Sequence, residues 1–343
     1  MRIGIIGLGG VGKALLELLV DKKDDLEKEG LSVSVNYIIN SKGGVYDSKG
    51  IDLRDFNEFL SYDKPIWEYK SGSKDVNFNT IMGNKDIDLL VELTQTDKET
   101  GEPGMTHIQE SLSKGISVVT ANKGPIMLNY KRLREIALIN NVQLGIGCTT
   151  GGALPSINGG LFDLSGAEVR SIEGVLNGTT NFIIQEMEDK GITYEEALYK
   201  AQEQGIAERN PAMDVDGWDT AIKLLILTNV ILGTEKKLAD ISVEGISGIK
   251  PIDIVNAKNS GYKLKLVGRT VKTDSGLEMS VGVEKVYNDN PLYIVDGKNK
   301  AVKYVSDTLG DLTIIGGASG LTPAAASVLR DIVNIHRGNK LTI

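Results

Sequence analysis

The chain opens with an apolar run at 2–6. Glycines follow, and from 13 to 20 apolar residues recur at helical spacing. This pattern predicts strand, glycine turn, helix. Further short apolar runs at 32–39, 87–93, 115–120 and 142–147 read as buried strands. Helical patterns lie between them, clearest at 107–114. Another helix starts near Pro125 and runs toward Asn141, because proline is tolerated in a first helical turn. Alternating strands and helices over 1–150 predict a parallel sheet with helices on both faces.

The rhythm changes after Gly151 and Gly152. The pattern predicts a helix at 154–163, a strand at 168–176 and a helix at 181–190. Thr193 and Glu196 have capping-box spacing for a helix to Gln204, ended by Gly205. A long apolar helix covers 218–232. Strand-like text follows at 262–271, 277–286, 301–305 and 311–315, then a glycine-rich stretch and a last helix at 323–335. The expected fold is therefore α/β. A doubly wound domain spans 1–150, and a second α+β domain with a mixed or antiparallel sheet spans 151–305. Residues 306–343 form a segment whose last helix returns to the first domain.

Composition narrows the classes. The 343 residues suit about two domains, each large enough for its own core. The net charge of −8 and the absence of a basic run argue against nucleic-acid binding. One cysteine, Cys148, excludes an intrachain disulfide and a cysteine zinc site, and fits a reducing compartment. Two histidines, His107 and His336, cannot build a histidine metal cage. The most apolar stretch, 222–232, is far shorter than the roughly 20 residues of a membrane span. The N-terminus lacks the pattern of a signal peptide. A cytoplasmic protein acting on a small molecule is expected, without membrane or nucleic-acid partners.

Gly7, Leu8, Gly9, Gly10, Val11 and Gly12 spell G-x-G-x-x-G between a strand and a helix. The first glycine permits a tight turn, the second lets backbone approach a pyrophosphate, and the third lets helix pack on strand. Free N–H groups at the helix start then face the phosphates. The same residues nearly form a P-loop, but Ala14 stands where a magnesium-binding Ser or Thr is needed. The second strand ends Ile39, Asn40, Ser41, Lys42, without the acid that usually meets an NAD ribose. Lys42 either meets a 2′-phosphate or is simply solvated, so NADP, NAD or both remain open. Thr94, Thr96 and Lys123 follow the carboxyl ends of strands, where ligands sit in open α/β sheets.

Residues 205–223 are the richest in chemistry. Asp219 and Lys223 are four apart on one helix face. An exposed pair would contribute under about 1 kcal/mol. Here Ile226, Leu227 and Val230 share the lysine's face, which points to a buried or cleft position. A lysine held charged there is a natural proton donor. Asn177, Gly178, Thr179, Thr180 and Asn181 lie between a strand and a helix; they serve either to bind a carboxylate or only to cap.

Together these stretches resemble homoserine dehydrogenase: the glycine loop, 121–125, 174–182, and 205–223 with Asp214, Asp216 and Asp219. The resemblance implies a Rossmann domain plus a catalytic domain that dimerises through its sheet. It implies NAD(P)-linked interconversion of L-aspartate 4-semialdehyde and L-homoserine in threonine and methionine biosynthesis. Lys223 is then the proton donor to the carbonyl oxygen, and Lys123 the second active-site lysine. Glu208 grips the substrate ammonium, with Asp214 and Asp219 in support, and Gly178 and Thr179 match substrate-loop positions. Gly320 and Thr94 face the cofactor with the glycine loop. A free lysine titrates near about 10.4, so oxidation, which needs the neutral amine, should favour alkaline pH. The family often places an acid where Gly147 stands, helping to hold sodium, so only carbonyls of Thr150, Gly152 and Leu154 remain for a monovalent cation. The length leaves no room for a C-terminal regulatory domain or a fused kinase, so no threonine feedback through such a domain is expected. Two rivals are an aldehyde dehydrogenase using Cys148 and a non-catalytic dinucleotide sensor. The first lacks a downstream histidine base; the second would need no acid–lysine cluster.

Overall fold

A computed structural model describes residues 1–342, in two compact units. The first is Met1–Thr149 with the chain from Gly320 onward; the second is Thr150–Ser319.

The first unit holds a seven-stranded sheet. Its strands are β1 (Arg2–Ile6), β2 (Ser34–Asn40), β3 (Gly43–Tyr46), β4 (Gly72–Ser73), β5 (Leu89–Glu92), β6 (Ser117–Thr120) and β7 (Leu144–Gly145). Their order is β4-β3-β2-β1-β5-β6-β7. The five strands from β2 to β7 across the centre are parallel. The chain builds outward from β1 first through β2 and then through β5, so the winding reverses at β1. Ligand crevices open at such reversals. Ile3 and Ile5 join a core with Leu15, Leu16 and Leu19 of the first helix and Val328 and Ile332 of the last. A Cβ at Gly4 would instead meet Ile81 on the opposite face. Helices therefore cover both faces, as the apolar rhythm predicts. The antiparallel edge, β3 and β4, was not expected: it is too short and glycine-rich for a periodic signal.

The second unit holds β8 (Val169–Val175), β9 (Ser242–Val243), β10 (Tyr262–Thr273), β11 (Gly276–Tyr287), β12 (Lys300–Ser306) and β13 (Asp311–Gly316). The order is β13-β12-β8-β10-β11-β9. All pairings are antiparallel except β9 on β11, which makes the sheet mixed. The Trp218–Leu232 helix packs on β10, where Thr228 and Thr270 share a hydroxyl hydrogen bond of 2.7 Å. Gly268 opens room for Thr220 and Leu224 of that helix.

Two expected elements differ here. The helix at 154–163 is one short turn, Ser156–Asn158, widened into a π-helical turn at Gly159–Asp163. Cβ atoms at Gly159 and Gly160 would lie 2.2 Å from Ile314 and 2.5 Å from Ile231, so the glycines let this segment pack closely. The strand at 142–147 shrinks to Leu144–Gly145. Beyond it, the Gly147 N–H donates to Asp331 Oδ2 at 2.8 Å, taking the backbone out of the ladder.

Candidate functional site

In the first unit, the glycine loop divides its labour. Gly7 has φ +103°, and a Cβ there would sit 2.4 Å from the Leu93 backbone. A Cβ at Gly12 would sit 2.3 Å from the Gly7 carbonyl oxygen. Both are required by the protein's own packing. Gly10 is covered by the Leu321 side chain, at 2.7 Å from a Cβ position. Gly9 is different: a Cβ there meets nothing within 4 Å. It is the N-cap of the Gly10–Asp21 helix, with no side chain capping the first turn. The helix thus begins with free N–H groups and bare backbone, a fit for a pyrophosphate.

This loop borders a cleft of about 960 Å³ that also takes in Asn40, Ser41, Thr94 and His107. At its adenosine-side candidate position, Asn40 accepts from the Lys42 N–H at 2.8 Å. Lys42 is exposed at the tip of the two-residue β2–β3 turn.

Beneath Thr94 lies a residue that the pattern of the sequence left among strand positions. Glu92, at the end of β5, has no solvent exposure. It accepts from the Thr94 N–H at 3.0 Å, from the Thr94 hydroxyl, and from Thr120 Oγ1 at 3.1 Å. Asn122 donates to Thr94 Oγ1 at 3.3 Å and caps the Lys123–Ile139 helix through Gly124 N–H. Glu92 therefore ties Thr94 to the segment that carries Lys123. Its signal was an acid inside an otherwise apolar strand. Lys123 is the first residue of its helix, two positions before the expected start. Gly320 has φ +125° and precedes the Leu321–His336 helix, whose first residue covers Gly10.

In the second unit, three separate segments converge. Lys223 Nζ lies 2.6 Å from Asp219 Oδ2 and donates to the Leu176 carbonyl at 2.8 Å. The two side chains are only 14% and 12% exposed, so this is no surface pair. Asn177 donates to Asp219 Oδ2 at 2.9 Å and to Asp214 Oδ1 at 2.6 Å. Its own Oδ1 accepts from Thr180 N–H, capping the Gly178–Lys190 helix. One amide thus caps a helix and joins two carboxylates. The segment does cap its helix, through Asn177. The helix begins at Gly178 rather than at Asn181, which puts Gly178 and Thr179 in its first turn. Thr179 Oγ1 donates to the Ile206 carbonyl at 3.1 Å, fastening the segment that leads to Glu208. Glu208 itself is exposed, its carbonyl accepting from the Gln202 amide at 3.1 Å.

The remaining positions are structural in what they touch. Cys148 is buried in the first unit's core, its thiol 3.5 Å from the Ala324 carbonyl. A Cβ at Gly147 would fall 2.8 Å from Asp331 Oδ1 and 3.1 Å from the Arg330 guanidinium, so an acid has no room there. The Thr150 hydroxyl bonds that of Ser156 at 2.7 Å, the Leu154 carbonyl accepts from Ser156 N–H at 2.8 Å, and Gly152 has φ +60°.

Two family models match this chain. Residues 7–145 match the NAD-binding domain of homoserine dehydrogenase, and residues 155–333 match the homoserine dehydrogenase domain. The chain belongs to the homoserine dehydrogenase family. A homoserine dehydrogenase from Methanocaldococcus jannaschii is 37% identical, over 99% of this chain and 100% of its own length. An NAD(+)-dependent homoserine dehydrogenase from Pseudomonas canavaninivorans is 30% identical, over 98% and 96%. A solved hyperthermophilic archaeal homoserine dehydrogenase mutant in complex with NADPH superposes with a TM-score of 0.83 at 26% identity, over 98% of both chains. As a homoserine dehydrogenase, the chain is an NAD(P)-dependent oxidoreductase that interconverts aspartate 4-semialdehyde and homoserine. Neither the Cys148 aldehyde dehydrogenase nor the non-catalytic sensor survives this assignment. Among the described residues, no helix is long and apolar enough to cross a membrane.

Proposed function

We propose that Lys223 is the proton donor and acceptor of the homoserine dehydrogenase reaction. The observation that carries this is the 2.6 Å contact of Lys223 with Asp219 inside a nearly buried cluster. The carboxylate pairs with the lysine in a site of low exposure and fixes where its nitrogen lies. The Leu176 carbonyl takes a second N–H, which aims the ammonium. In reduction Lys223 gives its proton to the carbonyl oxygen; in oxidation the neutral amine removes the hydroxyl proton. Asn177 and Asp214 hold Asp219 in place. Glu208 takes the substrate ammonium, its exposure leaving the carboxylate available, and Gly178 and Thr179 bind at the helix start. A monovalent cation on the Thr150, Gly152 and Leu154 carbonyls is an accessory of the same reading.

Gly7 through Gly12, Thr94 and Gly320 hold the dinucleotide, which supplies the hydride when bound. Lys123 serves as the second lysine. A cation at a helix N-terminus is electrostatically disfavoured, so helix stability does not account for its place. Both cofactors are used, with NADP tolerated because no acid at Asn40 repels a 2′-phosphate. Met1–Thr149 with the chain from Gly320 onward act as the cofactor domain and Thr150–Ser319 as the catalytic domain, so the returning segment begins at Gly320 rather than at 306. The enzyme works as a cytoplasmic homodimer in threonine and methionine synthesis; a particle of twice the 37.0 kDa chain mass in light scattering checks the dimer.

The deciding experiment follows reduced-nicotinamide absorbance with L-homoserine and either NADP+ or NAD+, with Lys223→Ala alongside. Loss of turnover in the variant with unchanged cofactor affinity is expected. Near-normal kcat in Lys223→Ala overturns the role.

A further inference from the structure

Lys265 on β10 takes no part in the reaction described above, yet it is among the largest fully buried side chains, 2% exposed. Its three N–H groups meet three acceptors: the Val295 carbonyl at 2.6 Å, Asn181 Oδ1 at 3.0 Å and Asp296 Oδ1 at 3.5 Å. Burial pushes the ammonium below the usual lysine range, with Lys263 adding to that and Asp296 and Glu188 opposing it. A position that needed only volume would take Met or Leu without this desolvation. What the ammonium adds is a fixed point for oxygens arriving from two different segments.

Those segments matter for the site. Asn181 stands in the first turn of the Gly178–Lys190 helix. Its amide donates to the carbonyls of Val295 and Gly297, both at 2.9 Å. Gln185, one turn later, accepts from the Gly297 N–H. Residues 295–298 are thus strapped onto this helix. The strap ends against Gly178, where a Cβ would lie 2.7 Å from the Lys298 carbonyl oxygen.

We infer that Lys265 is a positioning residue for the amino-acid substrate: through Asn181 and the 295–298 strap it fixes the turn of Gly178 and Thr179. The inference rests on the reading of that turn as the substrate turn. Lys265 touches no reacting atom. Its removal loosens the pocket for homoserine and leaves proton transfer and dinucleotide binding alone.

The test compares Lys265→Met and the milder Gln185→Ala in steady-state kinetics, with NADPH affinity by nicotinamide fluorescence and thermal melts. The expected result is a homoserine KM raised about tenfold by Lys265→Met and about threefold by Gln185→Ala, with kcat and NADPH affinity nearly unchanged. If Lys265→Met does not fold, Gln185→Ala carries the test. An unchanged homoserine KM in the folded variants overturns the inference, and so does a fall in kcat and NADPH affinity that tracks the melting temperature. Gly178→Ala and Thr179→Val separate the two ideas. If they raise the homoserine KM while the strap variants do not, only the role of Lys265 fails. If none of the four moves it, the substrate-turn reading fails.

Discussion

The glycine-loop cleft and the acid–lysine cluster are built by opposite means. The loop works by omission: Gly7 and Gly12 are bare because the protein's own backbone comes within 2.4 Å and 2.3 Å of where a side chain would start. Gly9 is bare although nothing of the protein is near. The cluster works by charge. Lys223, Asp219, Asn177 and Asp214 bring ionic and amide groups together from three stretches of chain. A site made of absent side chains binds a generic phosphate group. A site made of placed charges can move a proton.

The largest effect that would sharpen this contrast is at Lys223. Lys223→Ala should lower kcat about 10²–10⁴-fold, the usual contribution of a general acid–base group. NADPH affinity, measured separately, should stay put because the loop belongs to the other unit. A parallel loss of both would break the division of labour.

Next comes a buried acid with a different fate. Asp219 has a lysine at 2.6 Å. Asp331 in the first unit is 1% exposed, and its Oδ1 has no hydrogen-bond partner among the described residues. Burial pushes its carboxyl up to about 6, against the pull of Arg330 and the Gly147 N–H. The folded state therefore holds this proton more tightly than the unfolded chain does. The stability so contributed is complete below the unfolded carboxyl value near 3.8 and is lost as pH rises through about 6. Asp331→Asn mimics the protonated form. At pH 8 it should be more stable than the parent by up to about 3 kcal/mol, the gap closing below about pH 4. Denaturant titrations at several pH values check this. A gap independent of pH would mean that Asp331 is not neutral on folding.

The smallest effects separate the glycines. Gly12→Ala should cost about 1–3 kcal/mol of stability, because its Cβ overlaps the Gly7 carbonyl. Gly9→Ala should leave the melt unchanged and weaken NADPH binding about tenfold, because only a ligand competes for that space. If Gly9→Ala binds NADPH normally, the open space at Gly9 is not where the dinucleotide lies.

Much of the fold was legible because its signals are local. The central parallel strands are short apolar runs, and each is bounded by glycines or helical text. A strand needs only neighbours in sequence to announce itself when both its faces are buried. The edge strands β3 and β4 stayed hidden because, at four and two residues, they show no period. The turn at 154–163 read as an ordinary helix because its contacts, Ile231 and Ile314, are far away in the chain.

The site divides in the same way. The glycine loop and the Asp219–Lys223 pair follow from spacing alone, since a helix places residues four apart on one face. Asn177 as the link between Asp214 and Asp219, Glu92 as the floor under Thr94, and Lys265 behind the Gly178 turn depend on hydrogen bonds that span 28 to 84 residues. Local pattern determines which backbone a segment adopts. Which buried polar atom satisfies which other is decided only when the segments pack, because each such atom must find its partner in three dimensions or forfeit hydration.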